Sequence, residues 1–375
     1  MIKNGKVVFH IANLAGGGAE RVAVEIARHF VARGTAVIFF VHASSSAYVL
    51  PEGVEIIVAS SAGHLGRVLE FRRLLTRVKP DAVLSFLPYA NLISLFAQFF
   101  EIKKIRLVIS EHLTIEGEHN ARLMEKIKWK LRRYLYQRSD SIIAVSKGVA
   151  EDLKQTLAGP VSKKISVIYN PCFIPNAKSK IIESTRREKN ILAVGRLCDD
   201  KGFDILIRAF ARIDPRIGDV KLIIAGEGPR RSDLEKLILD LGLSNHVSLP
   251  GFRPDVRDLY EQADLFVCSS RREGFGNVIV EALSFGLRVV ATRCPHGPEE
   301  ILDSGRFGRL VAVGDELELA EAMAESLHSA KNEAAQVSRA GDFSLDFIGD
   351  RYLEAVGLST SHRKEASTQS AGYSR

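Results

Sequence analysis

Two acidic residues, Glu273 and Glu281, stand eight positions apart on either side of a glycine-rich turn. The turn follows an apolar strand-like run and precedes a helical pattern, so we expect Glu273 in the loop and Glu281 on the second helical turn. The amides of Gly276, Asn277 and Val278 would then form a helix N-terminus, which favours a phosphate group. The carboxylates could bind the hydroxyl groups of a sugar, and the amides beside them could bind a diphosphate. This combination suits a sugar nucleotide. The alternative is a solvated helix cap with an exposed charge on the helix.

The loop from Gly195 to Asp204 carries two cations between another strand-like run and a helix. Arg196 stands at the strand end, and Lys201 stands just ahead of the helix. Together they could bind a diphosphate, Arg196 as a planar fork and Lys201 as a mobile point charge. Either residue alone would more often be a surface charge, but the acidic loop at Glu273 favours a binding role for both.

Two more loops that follow strand-like runs hold candidate residues. Gly226, Glu227 and Gly228 form a glycine turn whose main chain could admit a base or a ribose, although a plain turn that opens a helix is equally consistent. His112 ends a strand-like run in the first half of the chain. Its imidazole could bind a sugar hydroxyl or a phosphate, whereas a single histidine usually has a structural role.

A third glycine loop, near the start of the chain, consists of Gly16, Gly17 and Gly18 and opens a helix. These residues allow the backbone to approach a ligand closely, but they fit a tight structural turn equally well. Their spacing is not that of the dinucleotide fingerprint, and no acidic residue ends the second strand. Both observations count against a nicotinamide cofactor.

Length and composition describe a globular protein of two domains. A chain of 375 residues is too long for one comfortable core, and 46% hydrophobic with 26% charged residues is an ordinary balance. The four cysteines lack metal-site spacing, so we expect reduced thiols in a cytoplasmic protein. We expect no secretory leader and no membrane span, since no apolar run reaches roughly 20 residues.

Positive charge is concentrated in the first half of the chain. Residues 1–170 carry 24 Lys and Arg against 14 Asp and Glu, whereas the remaining residues carry 28 against 31. This asymmetry predicts an anionic partner for the first half, either a membrane surface or a nucleic acid. We expect no nucleic-acid partner, because the sequence has no recognisable nucleic-acid-binding module with aromatic stacking. A helical pattern over residues 122–138 could lie on an anionic membrane with its basic side, or it could be a core-facing helix with a solvated basic side. The candidate membrane or acceptor residues are Lys126, Lys128, Lys130, Arg132 and Arg133.

Strand-like runs alternate with helical patterns in both halves of the chain, which indicates two doubly wound α/β domains. Such sheets bind ligands beyond the carboxyl ends of their strands, where all the loops above begin. We predict a first domain over residues 1–170 and a second over 171–342. A helix follows over residues 343–357, and we expect the polar tail 358–375 to be disordered.

The motifs occur together in the order of a known family. They are Gly195-Arg196-Leu197 with Lys201-Gly202-Phe203, then Gly226-Glu227-Gly228-Pro229, then Glu273-Gly274-Phe275-Gly276 with Glu281. In these motifs the chain resembles the retaining glycosyltransferase family 4 of the GT-B fold. The resemblance extends from the first glycine loop to the helix at Phe343. It implies two facing Rossmann-like domains with a C-terminal helix that crosses back to the first domain.

The resemblance also implies roles for individual residues. Those matching Arg196 and Lys201 hold the donor diphosphate, the one matching Glu273 contacts the donor sugar, and the one matching Glu281 binds the ribose. His112 matches a histidine near the transferred sugar. Arg196, Lys201, Glu273 and His112 are thus the catalytic candidates. The donor-binding candidates are Gly16, Gly17, Gly18, Gly195, Gly226, Glu227, Gly228, Phe275, Gly276, Asn277, Val278 and Glu281.

The activity implied by the resemblance is transfer of a hexose or N-acetylhexosamine from a UDP-sugar with retention of configuration. The segment 294–302 is similar to a subgroup that builds bacterial surface polysaccharides and lipid-linked oligosaccharides. We therefore expect a polyprenyl-diphosphate-linked saccharide acceptor, a peripheral position on the cytoplasmic membrane, and no cofactor or metal. The alternatives are a bilobed sugar-binding protein without catalysis and a nicotinamide-dependent oxidoreductase.

Overall fold

The computed structural model describes residues 5–99, 105–112, 131–157, 159–175, 189–213 and 219–358. The chain divides into two compact units, which are described separately. The first unit comprises Met1–Val145, Ala150–Pro171 and Leu345–Arg375. The second comprises Ser146–Val149 and Cys172–Ser344.

The first unit is built on a parallel sheet of seven strands in the order β3-β2-β1-β4-β5-β6-β7. This is a doubly wound order that reverses between β1 and β4. The strands are β1 (Lys6–His10), β2 (Ala36–Val41), β3 (Glu55–Val58), β4 (Ala82–Phe86), β5 (Arg106–Glu111), β6 (Ser141–Ala144) and β7 (Ile165–Val167). The helices along this part of the chain are α1 (Gly18–Ala32), α2 (His64–Val78), α3 (Pro88–Gln98) and α4 (Lys147–Leu157), and residues 131–136 are also helical.

The central strands of this sheet are buried on both faces, as expected when helices cover both sides of a parallel sheet. In β1, Phe9 pairs in register with Phe39 of β2 and Leu84 of β4, and all three are fully buried. Helix α1 packs its apolar side on this core, with Val22 and Phe30 buried. The period of 3.6 residues therefore predicts the buried side of α1 correctly.

The second unit has a parallel sheet of six strands in the order β10-β9-β8-β11-β12-β13. Its strand order reverses between β8 and β11. The strands are β8 (Lys189–Val194), β9 (Val220–Ala225), β10 (Val247–Ser248), β11 (Leu265–Cys268), β12 (Arg288–Thr292) and β13 (Arg309–Val311). The helices are α5 (Phe203–Phe210), α6 (Arg231–Asp240), α7 (Arg257–Gln262), α8 (Asn277–Ser284), α9 (Pro298–Ile301), α10 (Glu316–His328) and α11 (Glu333–Gly341).

The last helix, α12 (Leu345–Ala355), returns to the first unit. Its buried Ile348 and Tyr352 belong to the same apolar core as α1 and β1. At the edge of this contact, His29 Nε2 on α1 lies 2.8 Å from Asp350 Oδ1. The predicted fold class, two doubly wound α/β domains with a final helix that returns to the first, is confirmed.

Some predictions fall outside the described residues. These are Lys126, Lys128 and Lys130 and, apart from Leu358, the tail that we expect to be disordered. Among the helices that the structure describes, none is both long enough and apolar enough to pass through a bilayer.

Candidate functional site

The loops after β8 and β11 meet at the centre of the second sheet, where the strand order reverses. This is the position at which doubly wound sheets bind ligands. Lys201 ends a single 3₁₀ turn in the first loop, and Gly202 follows with φ 61°. A Cβ atom on Gly202 would lie 2.2 Å from the carbonyl oxygen of Ser269 in the second loop. Only glycine therefore allows the two loops to pack this closely.

Lys201 and Glu273 form an ion pair across these loops, with Nζ and Oε1 2.5 Å apart. The same carboxylate oxygen accepts a hydrogen bond of 2.7 Å from Ser270 Oγ. Burial has the largest single effect and would lower the pKa of Lys201, but the charge and hydrogen bond of Glu273 together with the neighbouring cysteines outweigh it, so the pKa of Lys201 lies above its ordinary value. The ammonium is therefore permanently charged at neutral pH. Burial, reinforced by Glu273, raises the pKa of the nearby Cys268 thiol to about 11 and keeps it neutral.

Glu281 lies on the second turn of α8, as predicted, and its side chain is buried. It accepts a hydrogen bond of 3.0 Å from the hydroxyl of Tyr260 on α7. The Tyr260 ring is itself buried and stacks on Phe285 with 5.3 Å between ring centroids. The sequence reading missed Tyr260, because a single tyrosine on a six-residue helix carries no motif.

Helix α8 begins where the sequence predicts its amino end. Gly276 precedes it in the left-handed region with φ 103°, and Asn277 and Val278 form its first turn, where backbone amides lack intrahelical acceptors. The Phe275 ring is buried against Phe343, with centroids 5.5 Å apart, so its side chain anchors the loop in the core. Donor binding by Phe275 stays a prediction.

Arg196 follows the end of β8 and is exposed. Its guanidinium has no hydrogen bond or ion pair with any side chain in the described residues. The preceding Gly195 lies beside Lys201, since a Cβ atom on it would be 3.5 Å from Lys201 Cδ. The exposed guanidinium and the Lys201 ammonium therefore flank the same short loop.

The glycines after β9 serve the packing of two loops on each other. A Cβ atom on Gly226 would lie 1.9 Å from the carbonyl oxygen of Gly195, and one on Gly228 would lie 2.3 Å from that of Leu197. The Glu227 carboxylate binds Arg231 one helical turn away at 2.5 Å. The structural interpretation of this turn therefore accounts for both glycines, and contact with a base or ribose stays a prediction.

The first glycine loop donates its amides to a side chain of its own helix. The amides of Gly16 and Gly17 donate hydrogen bonds of 2.8 and 3.0 Å to Glu20 Oε2. A phosphate at these amides would have to displace the Glu20 carboxylate. Donor binding by Gly16, Gly17 and Gly18 stays a prediction.

His112 follows β5 in the first unit and is buried, with 7% of its surface exposed. Its Nε2 lies 3.0 Å from Ser110 Oγ. Burial lowers the pKa of His112 to about 3, so the ring is neutral at physiological pH. It can therefore exchange hydrogen bonds with a hydroxyl group but supplies no positive charge.

Arg132 requires a correction. The sequence places it on the basic, lipid-facing side of its helix, but only 15% of its side chain is exposed, and it lies 3.2 Å from the fully buried carboxylate of Glu111. Asn91 and the hydroxyl of Tyr136 also donate hydrogen bonds to this carboxylate. The physical reason is that a buried carboxylate needs a cation and donors. Arg133, by contrast, is exposed.

The residues after β8 and β11 thus combine two cations, a helix start and two carboxylates. This set can bind a diphosphate through Lys201 and Arg196 and hydroxyl groups through Glu273 and Glu281. No cluster of three or more His, Cys, Asp or Glu within the described ranges could hold a metal ion. Independence from metal stays a prediction.

Two family models match the chain, one in each unit. Residues 188–329, which include Arg196, Lys201, Glu273 and Glu281, match the model described as "Glycosyl transferases group 1". Residues 16–172, which include His112, match the model described as "Glycosyltransferase Family 4". The candidate catalytic residues all lie within the matched regions.

Curated relatives cover most of the chain. One, from Campylobacter jejuni, is an N-acetylgalactosamine-N,N'-diacetylbacillosaminyl-diphospho-undecaprenol 4-alpha-N-acetylgalactosaminyltransferase. It is 34% identical over 279 residues, which are 72% of this chain and 74% of the relative. Another is the lipopolysaccharide core biosynthesis glycosyltransferase LpsE of Rhizobium meliloti, 28% identical over 91% of this chain and 96% of the relative.

Solved structures agree with the fold. Anabaena HepE in complex with UDP and glucose superposes with a TM-score of 0.77 at 25% identity, over 94% of this chain and 99% of that one. The lipopolysaccharide glycosyltransferase WaaG, with a TM-score of 0.73, 19% identity and coverage of 93% and 99%, shares the fold. With both family models matched and a relative 34% identical over most of its length, this chain belongs to glycosyltransferase family 4 and has the GT-B fold.

Proposed function

We propose that this protein transfers a hexose or N-acetylhexosamine from a UDP-sugar to a polyprenyl-diphosphate-linked saccharide, with retention of configuration and without a metal ion. The observation that carries this proposal is the Lys201–Glu273 pair at the strand-order reversal of the second sheet. The Lys201 ammonium suits the donor diphosphate, and the Glu273 carboxylate suits the hydroxyl groups of the sugar.

The chemistry required is cleavage of the bond between the anomeric carbon and the diphosphate oxygen. The nucleoside diphosphate leaves with the electron pair, so negative charge grows on its terminal phosphate. Lys201, Arg196 and the first-turn amides of α8 would stabilise that charge in place of a metal ion. In a same-face displacement the acceptor hydroxyl attacks the anomeric carbon, and its proton passes to the departing phosphate.

Similar proteins support the choice of donor and acceptor. HepE, at 25% identity, was solved with UDP and glucose. The Campylobacter jejuni relative is named for alpha transfer of N-acetylgalactosamine to a saccharide on diphospho-undecaprenol. We infer a uridine nucleotide, an alpha product and a lipid-linked acceptor by analogy with these proteins.

A lipid-linked acceptor requires contact with a membrane, and we propose a peripheral position on the cytoplasmic face. The surplus of Lys and Arg in residues 1–170 supports attraction to anionic lipid. Helix α2 adds apolar groups, since Leu65 is 72% exposed and Leu69 is 43% exposed beside the basic Arg72 and Arg73. Exposed leucines next to arginines suit the boundary between headgroups and acyl chains.

The testing experiment is a transfer assay with purified protein, a panel of UDP-, GDP- and ADP-sugars and polyprenyl-diphosphate-linked saccharides. We expect product with a UDP-sugar, an alpha linkage by NMR and unchanged rates in EDTA. A donor panel that yields neither transfer nor hydrolysis would refute catalysis. A beta linkage would refute retention, and lost activity in EDTA would refute metal independence.

Membrane binding is tested separately by flotation of the protein with vesicles. Binding to vesicles that contain anionic lipid, weakened by salt, is expected. Equal recovery with neutral and anionic vesicles would refute the electrostatic contribution without affecting the proposal for catalysis.

A further inference from the structure

Two consecutive arginines, Arg271 and Arg272, lie in the loop after β11 and have no part in the function proposed above. Arg271 binds Asp204 as a two-pronged fork, with Nη1–Oδ1 and Nη2–Oδ2 distances of 2.8 and 2.7 Å. Its Nη1 also donates to the carbonyl oxygen of Asp199 at 2.9 Å. A single guanidinium therefore ties together both ends of the turn that contains Lys201.

The backbone and the second arginine add to this attachment. The amides of Arg271 and Arg272 donate to the carbonyl oxygen of Asp200 at 2.7 and 3.3 Å. Arg272 also binds the Asp200 carboxylate through Nε and Nη2 at 3.0 and 2.7 Å. Residues on both sides of Lys201 are thus fixed to the loop that carries Glu273.

The contacts at Lys201 itself come from this loop. Ser269 Oγ donates to the carbonyl oxygen of Lys201 at 3.0 Å, and Glu273 holds its ammonium at 2.5 Å. The lysine side chain has four rotatable bonds, so a fixed position of its charge requires both the Glu273 carboxylate and a fixed backbone. Misplacement of a reacting group by about 1 Å can cost on the order of a hundredfold in rate.

The Arg271–Asp204 pair contributes little to global stability. The two side chains are 36% and 34% exposed, and exposed pairs have a median contribution of about 0–1 kcal/mol. Its geometric effect is larger, because a fork to both carboxylate oxygens fixes orientation as well as distance. The pair is therefore suited to positioning a loop rather than to holding the fold together.

We propose that Arg271 is a positioning residue: it holds the turn from Asp199 to Asp204 so that Lys201 stands at Glu273 and at the donor diphosphate. The inference rests on the proposed function for the role of Lys201. Arg271 acts through Lys201 and does not itself contact the donor.

The test compares Arg271→Ala, Arg271→Lys, Lys201→Met and the double variant Arg271→Ala/Lys201→Met. The matched control is Arg309→Ala, which removes an exposed ion pair to Glu325. Arg309 begins the edge strand β13, at the amino end of the strand, whereas the candidate site lies beyond the carboxyl ends of the central strands. For each protein we would measure kcat, donor KM, UDP affinity by calorimetry and thermal unfolding.

Arg271→Ala should lower kcat by about tenfold to a hundredfold, while its unfolding temperature stays close to that of Arg309→Ala. Adding Arg271→Ala to Lys201→Met should change kcat and UDP affinity by less than about twofold. If Arg271 acts only by positioning Lys201, the effects of the two substitutions are not additive, and its loss has no further effect once the lysine is gone. Arg271→Lys should remain close to Arg271→Ala, since lysine keeps the charge but not the fork.

Additive losses in the double variant would overturn the inference, as would an Arg271→Ala variant with wild-type kcat. Full recovery by Arg271→Lys would also overturn it, because Arg271 would then act through its charge on the donor. Wild-type protein that binds no UDP would instead overturn the proposed function and this inference together. UDP binding by the wild type together with an unchanged kcat in Arg271→Ala would overturn the inference alone.

Discussion

Replacing Lys201 with methionine removes the cation from the centre of the candidate site while keeping most of the side-chain volume. The Glu273 carboxylate, whose side chain is 9% exposed, then loses its partner at 2.5 Å and keeps the hydrogen bond from Ser270 Oγ at 2.7 Å and a weak contact with Cys268 Sγ at 4.0 Å. We expect two separable effects, one on stability and one on catalysis.

The effect on stability follows from the burial of the pair. Removal of one partner of a buried ion pair typically costs about 3–5 kcal/mol, because the remaining charge is uncompensated. Lys201 is 24% exposed, so solvent screening reduces the cost below that range, to about 2–3 kcal/mol. For catalysis, loss of one preorganised group that stabilises developing charge costs about 3–4 kcal/mol, which lowers kcat by roughly a hundredfold to a thousandfold.

The double variant Lys201→Met/Glu273→Gln separates these effects. A neutral amide removes the unpaired charge and can still accept from Ser270, so urea unfolding should show stability close to that of the wild type. Transfer from the UDP-sugar should stay as low as in Lys201→Met or fall further. The reasoning would be refuted if the double variant recovered activity, or if Lys201→Met were as stable and as active as the wild type.

Three further predictions concern other residues of the two units. Tyr260→Phe removes the hydroxyl that donates to Glu281 and should weaken UDP binding by roughly tenfold, or about 1.4 kcal/mol; calorimetry that gives an unchanged dissociation constant would contradict the role of Glu281. Gly226→Ala places a Cβ atom 1.9 Å from the Gly195 carbonyl oxygen and should lower stability by about 3 kcal/mol, so an unchanged unfolding temperature would disprove the packing argument. The pKa of His112 is about 3 in the folded protein against an ordinary 6.5. Between pH 6.5 and pH 3 the unfolded chain therefore binds more protons than the folded protein, and stability is lost as pH falls through this range. Between pH 7 and 5 the wild type should therefore lose roughly 2 kcal/mol more than His112→Asn in urea unfolding, and equal losses would contradict burial of a neutral ring.

The strands that border the candidate site could be predicted from the sequence. The strand-like runs expected before the loops at Gly195 and Glu273 are β8 and β11, because strands buried on both faces are continuous apolar runs between polar residues. The short edge strand β3 was not predicted. It lies at one end of its sheet, and Ile56 and Val58 are 41% and 40% exposed, so it lacks the pattern of a buried strand.

Some site residues could likewise be predicted from the sequence, and others could not. Lys201 and Glu273 could be found because each stands in a motif beside a predicted strand. Arg271 could not, since its partner Asp204 lies 67 positions away and only tertiary structure brings them together. The prediction for Arg132 failed for a related reason: the charge pattern of its helix does not show that Glu111 is buried beneath it. Membership of family 4 also excludes the oxidoreductase alternative, against which the glycine spacing already counted.

The return of helix α12 to the first unit bears on the order in which the chain matures at the ribosome. Domains generally fold as they emerge, the N-terminal one first. Here the core around β1 lacks Ile348 and Tyr352 until the whole second unit has been translated. The unit that is synthesised first is therefore completed last, and until then the apolar residues of α1 that share a core with α12 lack that part of their packing.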